Sequence, residues 1–544
     1  MKKYLLPTLT IGFLLIGFLI GNSLSNNAKA QQINWARLLA PQSKVDQLLQ
    51  MMHSSYVDEI DVDSITEDMM EVLVEKLDPH SAYISKKDLE LVNSELSASF
   101  SGIGVQFNIQ NDTVCIVAVI SGGPSEGVGL LAGDKIILVD DSVFTGKGMN
   151  NERVLHTLRG PKGTQVKLSI KRSGTPELLE YVITRGDIPI HSVDAAFIMK
   201  PQIGYIKVNK FSETTYDEFM QSLAKLKAAG AAAYIVDLRE NSGGYMDQTI
   251  KMANEFLSAG QMIVYAEGRA YPRFEAKANG LGRFKDVSLV VLINEFSASA
   301  SEIFAGAMQD NDRATIIGRR SFGKGLVQQQ IPFSDGSAVR LTVARYYTPS
   351  GRCIQKPYTL GDQDDYEKDL LERFEHGEFY SADSIHYQDT TRYFTTGGRI
   401  VYGGGGILPD IFVGRDTTLY TPFYNKCVNL AYTYQFAFSY TNKHRTELKK
   451  YKDAESLERY LLKHRVLDDF LRYADSKGVN AHDSTLYLYS PLSFDEQVRK
   501  STPLLNRLLC AYIVRDILDD NAFYAIFERD DEIVLRALEE LEGR

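Results

Sequence analysis

Cysteine is scarce. Four occur in 544 residues, Cys115, Cys353, Cys427 and Cys510, and their spacing matches no zinc or redox pattern. A chain this long buries a core without disulfides, so the four read as free thiols, with one disulfide left open in an oxidising compartment. Basic residues are also too few for a nucleic-acid binder. Sixty Lys and Arg against 70 Asp and Glu leave a net charge of −10, whereas a phosphate-binding surface is normally basic. No internal repeat occurs, so a repeat array is not the architecture. The rest of the composition, 44% hydrophobic and 24% charged, is that of an ordinary globular chain of several domains.

One long apolar run is present. Residues 5–20 carry no charge, follow Lys2 and Lys3, and lead to Ala28-Lys29-Ala30, a small-x-small cleavage pattern. This is the pattern of a secretory signal peptide over 1–30 or, without cleavage, of a single N-terminal membrane anchor. It implies export to the periplasm or cell envelope, with tethering to the inner membrane as the uncleaved case.

The rest of the chain falls into four stretches of different rhythm. Residues 31–97 read as a helical N-terminal region, because Val45, Leu48, Leu49 and Met52 open a helical periodicity that runs over 44–74. Residues 98–190 hold short strands, among them 115–120, 135–139 and 166–171, separated by turn signals such as Gly122-Gly123-Pro124. Residues 191–415 alternate strands (205–208, 233–238, 287–293) with helices (216–228, 248–257, and one from 303), which implies crossover connections and a largely parallel sheet. Residues 416–544 are helical, with apolar stripes at Leu467, Phe470, Leu471, Ala474 and at Leu505, Leu508, Leu509, Tyr512. Those stripes fit core packing or a homodimer interface. The fold class is thus multidomain α+β.

Three segments carry candidate chemistry. Ser297-Ala298-Ser299-Ala300-Ser301-Glu302 follows a buried strand and opens a helix. A hydroxyl there is exposed at the sheet edge beside unpaired amides; Ser299-x-x-Glu302 is equally a capping box. A nucleophilic serine needs a base, and none of the nine histidines lies near it in sequence, so a lysine is the other option. Lys324 has Gly323 and Gly325 on either side, with Phe322, Leu326 and Val327 close by. Lowering a lysine from its usual value of about 10.4 by three units costs roughly 4 kcal/mol, which apolar burial supplies. Gln328 lies four residues on and shares its face, where an uncharged amide holds the amine in place. Asp237 to Gly244 ends a buried strand in Gly243-Gly244, a pair that turns backbone N–H groups outward as an oxyanion site requires, or forms a simple tight turn.

Two other patterns overlap this region. Gly318 to Lys324 reads G-x-x-x-x-G-K, but Gly325 replaces the Ser or Thr that would ligate magnesium. Ser321-x-x-Lys324 matches a serine-lysine motif that requires a helix start, and Ser222-x-x-Lys225 matches as well, so the pattern is weak.

Taken in order, Leu77-Asp78-Pro79-His80-Ser81-Ala82-Tyr83, Phe100 to Val105, Leu158 to Gly163, Asp237 to Gly244, Ser297 to Ala305, Gly323 to Gln328 and Tyr347 to Gly351 resemble the carboxyl-terminal processing peptidases, or tail-specific proteases. The resemblance spans residues 77–410. It implies a PDZ domain at 98–190 and a crotonase-like α/β protease core at 191–415. Ser299 would be the nucleophile, with Ser297 and Ser301 as runners-up, Lys324 the general base and Gln328 its orienting residue. Backbone N–H groups of Gly243 or Gly244 and of Ala300 would form the oxyanion hole. Gly102, Ile103, Gly104 and Val105 would receive the carboxylate of a protein or peptide substrate that adds as an edge strand, and Arg159 and Lys162 would couple the PDZ domain to the protease site. The implied enzyme is a serine endopeptidase needing neither metal nor cofactor. The alternative is an inert PDZ scaffold that recruits protein tails. Two departures stand out. Ser242 occupies a position where the family often has proline, and 417–544 matches no family feature.

Overall fold

The computed structural model describes residues 43–543, apart from residues 98, 111, 121, 132, 173–174, 388 and 489. The signal or anchor expected at 1–30 lies outside the described residues. The chain divides into two compact units, residues 1–72 and 73–544.

In the first unit the periodicity of 44–74 forms two helices rather than one. Lys44–Ser55 ends at Tyr56 in extended backbone, and Val62–Glu75 follows. Asp61 causes the restart. Its Oδ1 accepts the N–H groups of Asp63 and Ser64 at 3.0 and 3.2 Å, which satisfies orphan donors of a new helix start.

In the second unit, Val105–Gln110, Thr113–Val119, Lys135–Val139, Gln165–Lys171 and Leu179–Thr184 form one antiparallel sheet in that order, so Val105–Gln110 lies at its edge. The alternating apolar residues Val114, Ile116, Ile136, Leu168 and Ile170 point inward against Val154 and Leu158 of the helix Asn151–Leu158. This is the PDZ domain.

The protease core is a six-stranded sheet ordered Val193–Lys200, Ile203–Val208, Ala233–Asp237, Ser288–Ile293, Thr315–Gly318 and Ile411–Phe412. Only its first pair is antiparallel. Ile203–Val208 is buried along its whole length, as a strand covered on both faces must be. One face packs against the helices Thr215–Ala228, Met246–Asn254 and Ala300–Asp310. The other face, with Ile203, Tyr205, Ile235, Val290, Leu292 and Ile317, is covered by Ile533, Val534, Ala537, Leu538 and Leu541 of the chain's last helix, Glu532–Glu542. The far C-terminus is therefore part of the protease core. The remaining C-terminal helices build their own core, in which Phe470, Ala474, Leu505 and Leu509 of the predicted stripes are buried.

A second antiparallel sheet joins Ala82–Ile84, Leu326–Pro332, Ala338–Tyr347, Met262–Glu267 and Phe274–Lys277. It carries the segment around Asp78 to the strands that leave the Lys324 loop.

Candidate active site

The strands Ser288–Ile293 and Thr315–Gly318 are parallel neighbours, so the loops at their C-terminal ends converge. The first loop delivers Ser299 and the second Lys324.

The three serines of the first loop separate cleanly. Ser297 is buried and its hydroxyl donates to the Leu238 carbonyl at 2.8 Å, while buried Ser301 donates to the Asn241 carbonyl at 2.8 Å. Both brace the glycine-pair loop. Ser299 is half-buried and sits at φ 53°, ψ −112°, a backbone conformation that costs a non-glycine residue energy and turns it out of the helix it precedes. Its backbone N–H donates to Glu302 Oε2 at 2.8 Å.

Glu302 does more than close the first turn of its helix. The carboxylate is fully buried and accepts Ser299 N–H, the Ser321 hydroxyl (2.6 Å), Gly323 N–H (2.7 Å) and Lys324 N–H (2.8 Å). Burial pushes its pKa up to about 7, and the hydrogen bonds from Ser321, Lys324, Gly323 and Ser299 offset part of that rise. The Tyr346 hydroxyl adds a second tie, reaching the carbonyl oxygens of Ser299 (3.0 Å) and Lys324. Sequence reasoning read Glu302 only as a cap and did not find Tyr346, which lies 47 residues beyond Ser299.

The glycine pair fits against the serine turn because it lacks side chains. Gly243 has φ +103°, and a Cβ there would lie 2.7 Å from Ser299 Cβ and 3.0 Å from Ala300 N. On Gly244, at φ +140°, a Cβ would lie 2.1 Å from the Phe211 carbonyl oxygen. The Gly243 N–H donates to Asn241 Oδ1 at 2.9 Å. The N–H groups of Gly244 and Ala300 meet no acceptor among the described residues, Ala300 being the first residue of its helix.

Lys324 is half-buried at the end of its loop, and Leu326–Pro332 follows as a strand. A phosphate-binding loop would open a helix instead. Its arginines are already paired, Arg319 with Glu295 at 2.8 Å and Arg320 with Glu378 at 2.5 Å. Ser321 is buried on Glu302 and on Ile407 N–H, which removes it as a nucleophile. The glycines beside Lys324 reflect close approach: a Cβ on Gly325 would lie 2.8 Å from Gln355 N. Desolvation lowers the Lys324 pKa, Arg340 lowers it further, and Glu302 and Asp78 oppose the shift. His80 is pushed down to about 4 by burial and by the charge of Lys324, which keeps its ring neutral.

A cavity of about 520 Å³ is lined by Ser299, Ala300, Gly243, Gly244, Lys324 and Gln328 together. The Ser299 hydroxyl and the Lys324 amine share no hydrogen bond among the described residues; they meet only through this cavity. Gln328 Nε2 donates to Thr342 Oγ1 at 3.3 Å, and its side chain makes no hydrogen bond to Lys324 among the described residues.

Gly102, Ile103, Gly104 and Val105 belong to the PDZ domain and not to this cavity. The Ile103 and Gly104 N–H groups meet no acceptor among the described residues. Arg159 stacks its guanidinium over Phe100, 4.4 Å from the ring centre, and lines a second cavity of about 910 Å³. Asn93, on the helix Lys86–Leu96, lines both cavities and accepts a hydrogen bond from Gln330 at 2.9 Å. Lys162 instead makes an exposed ion pair with Asp187 at 2.5 Å.

Comparison with known proteins agrees with this architecture. Residues 202–367 match Peptidase family S41, residues 101–182 match the PDZ domain, and residues 423–519 match a family of unknown function, DUF8443. The Carboxy-terminal-processing protease of Bartonella bacilliformis is 36% identical over 315 residues, 57% of this chain and 71% of that protein. Carboxy-terminal processing protease CtpA of Bacillus subtilis is 33% identical over 368 residues, 67% of this chain and 77% of that protein. Among solved structures, the photosystem II D1 C-terminal processing protease is 26% identical, covers 69% of this chain and 88% of its own, and has a TM-score of 0.37. With relatives this similar along most of their length, the chain belongs to the PDZ-containing carboxy-terminal processing proteases of peptidase family S41.

Proposed function

We propose that this protein is a serine endopeptidase of the cell envelope that captures protein C-termini on its PDZ domain and cleaves by a Ser299–Lys324 acyl-enzyme mechanism. One observation carries the reading. A single cavity collects a strained serine, a lysine whose charged form is disfavoured, and two backbone N–H groups with no acceptor among the described residues.

In this mechanism neutral Lys324 takes the Ser299 proton as the serine oxygen attacks the scissile carbonyl. The oxyanion is received by the N–H groups of Gly244 and Ala300; that of Gly243 is already spent on Asn241 and serves to hold the loop. Protonated Lys324 then gives its proton to the leaving amine, and water hydrolyses the ester. Gln328 orients the amine. The substrate's terminal carboxylate sits on the Ile103 and Gly104 N–H groups while its last residues extend the sheet along Val105–Gln110, an open edge.

Ser299→Ala and Lys324→Ala should each abolish peptide cleavage and leave tail binding by the PDZ domain intact. Full turnover by either variant refutes the assignment. The rival reading, an inert tail-binding scaffold, predicts that an acylating probe leaves Ser299 unlabelled. Export rests on the pattern of residues 1–30, and recovery of the protein in the cytosolic fraction would overturn it.

A further inference from the structure

We propose that Asp78 and Thr342 are positioning residues for the catalytic pair: they fix the Gln328 side-chain amide so that its oxygen, and not its nitrogen, is presented to Lys324. The proposal rests on the Ser299–Lys324 reading above and extends it to residues that touch neither substrate nor nucleophile.

Each hydrogen bond from Asp78 to Gln328 has one possible direction. Asp78 is 6% exposed and lies in the turn before Ala82–Ile84. Its Oδ1 accepts His80 N–H at 3.0 Å, Ser81 N–H at 3.1 Å and the Thr342 hydroxyl at 2.9 Å, and its Oδ2 accepts the Ser81 hydroxyl at 2.6 Å. A carboxylate surrounded by donors accepts from all of them. The one proton of the Thr342 hydroxyl is thereby committed to Asp78, and what Thr342 Oγ1 offers its other neighbour is a lone pair.

That neighbour is Gln328, at 3.3 Å. A lone pair accepts only from an N–H, so the amide nitrogen faces Thr342 and Oε1 is the amide atom left for the cavity that Gln328 and Lys324 both line. Strand register makes the contact. The pairing of Leu326–Pro332 with Ala338–Tyr347 shifts between Val327 and Gln328, which sets Gln328 opposite Thr342. Ser81 locks the other side of the relay, since its hydroxyl also accepts Thr342 N–H at 3.0 Å.

The polarity matters for the base. An amide oxygen accepts an N–H of the lysine in both of its protonation states, so it fixes the amine without occupying the lone pair that must take the serine proton. An amide N–H would donate to that lone pair and favour an amine that is neutral but blocked. The charged and titratable groups that face Lys324 are Arg340, Glu302 and Asp78, with His80 beside them.

The test is the pH profile of kcat/KM and kcat for a fluorogenic peptide with a free C-terminal carboxylate, measured on the full chain. Thr342→Val removes the hydroxyl and frees the amide to turn. The relay predicts a kcat lower by about a hundredfold, with KM little changed and the acid limb of the profile moved to lower pH. Thr342→Ser should restore both. A kcat unchanged in Thr342→Val, or lowered with the acid limb unmoved, overturns the relay, because a merely structural role lowers the plateau alone. If Thr342→Val fails to fold, Gln328→Glu reads the same relay. It keeps an acceptor towards Lys324 and adds charge, so the acid limb should move to higher pH, and an unmoved limb overturns the proposal. Lys324→Ala measured alongside separates the two levels: turnover by that variant sinks the Ser–Lys mechanism itself, whereas its inactivity beside a wild-type-like Thr342→Val sinks only the relay.

Discussion

Ser299 and Lys324 donate their backbone N–H groups to the same atom, Oε2 of Glu302, each at 2.8 Å. Two loops that leave adjacent strands are thus tied at one carboxylate oxygen, and the separation of Ser299 and Lys324 is set by the backbone.

Glu302→Gln should therefore disturb geometry more than charge. An amide in place of the carboxylate turns an N–H against backbone donors and leaves a buried group unpaired, at roughly 1–3 kcal/mol each. Activity should be lost while the PDZ domain still binds tails. Wild-type activity in this variant would show that the shared oxygen does not hold the site.

The same residue sets a pH dependence. Its pKa rises from 4.5 to about 7 on folding, so the folded state holds the proton more tightly. The stability it contributes is fully present below about 4.5 and is lost as pH rises through 7, on the order of 3 kcal/mol in all. Glutamine does not titrate. The stability gap between wild type and Glu302→Gln should narrow from pH 5 to pH 7.5 in denaturant titrations; a widening gap contradicts the sign.

Gly243→Ala places a methyl 2.7 Å from Ser299 Cβ at a φ of +103°. Strain of about 1–3 kcal/mol is expected, together with loss of turnover as the serine turn is displaced. Normal kinetics in this variant would mean the two loops are not in contact as described.

Much of this site was legible in the sequence because its chemistry is local. The strand-to-helix turn at Ser299, the glycine-flanked Lys324 and the Gly243-Gly244 pair all announce themselves within a few residues, and an alternating α/β pattern brings such loops to one end of a sheet. Asp78, Thr342 and Tyr346 were not legible, because each matters only through partners tens to hundreds of residues away. The break at Asp61 was hidden by apolar spacing that continues across it. The last helix shows why amphipathic stripes alone are mute about their target: Val534 and Leu538 could have met any apolar surface, and they cover the protease sheet.

That placement makes Leu538→Ala a core substitution, costing about 2–5 kcal/mol of stability. The loss should appear in thermal melts of the whole protein. A change below 1 kcal/mol would argue that Glu532–Glu542 is not part of the protease core.

At the PDZ domain, Gly104→Ala sets a Cβ 2.9 Å from Ile188 Cδ1 at φ +79°. This should distort the N–H groups proposed to receive the tail carboxylate and weaken peptide binding by at least about tenfold, or 1.4 kcal/mol. Unchanged affinity in fluorescence anisotropy would move the tail site elsewhere.

Activation of Ser299 by the uncharged amine of Lys324, as proposed above, leaves a covalent signature. Intact-mass spectrometry after brief exposure to an activated peptide ester tests it most directly. A single acyl adduct on Ser299 is expected in the wild type, accumulating faster as pH rises, and none in Lys324→Ala. An adduct that forms at the same rate without the lysine would contradict it.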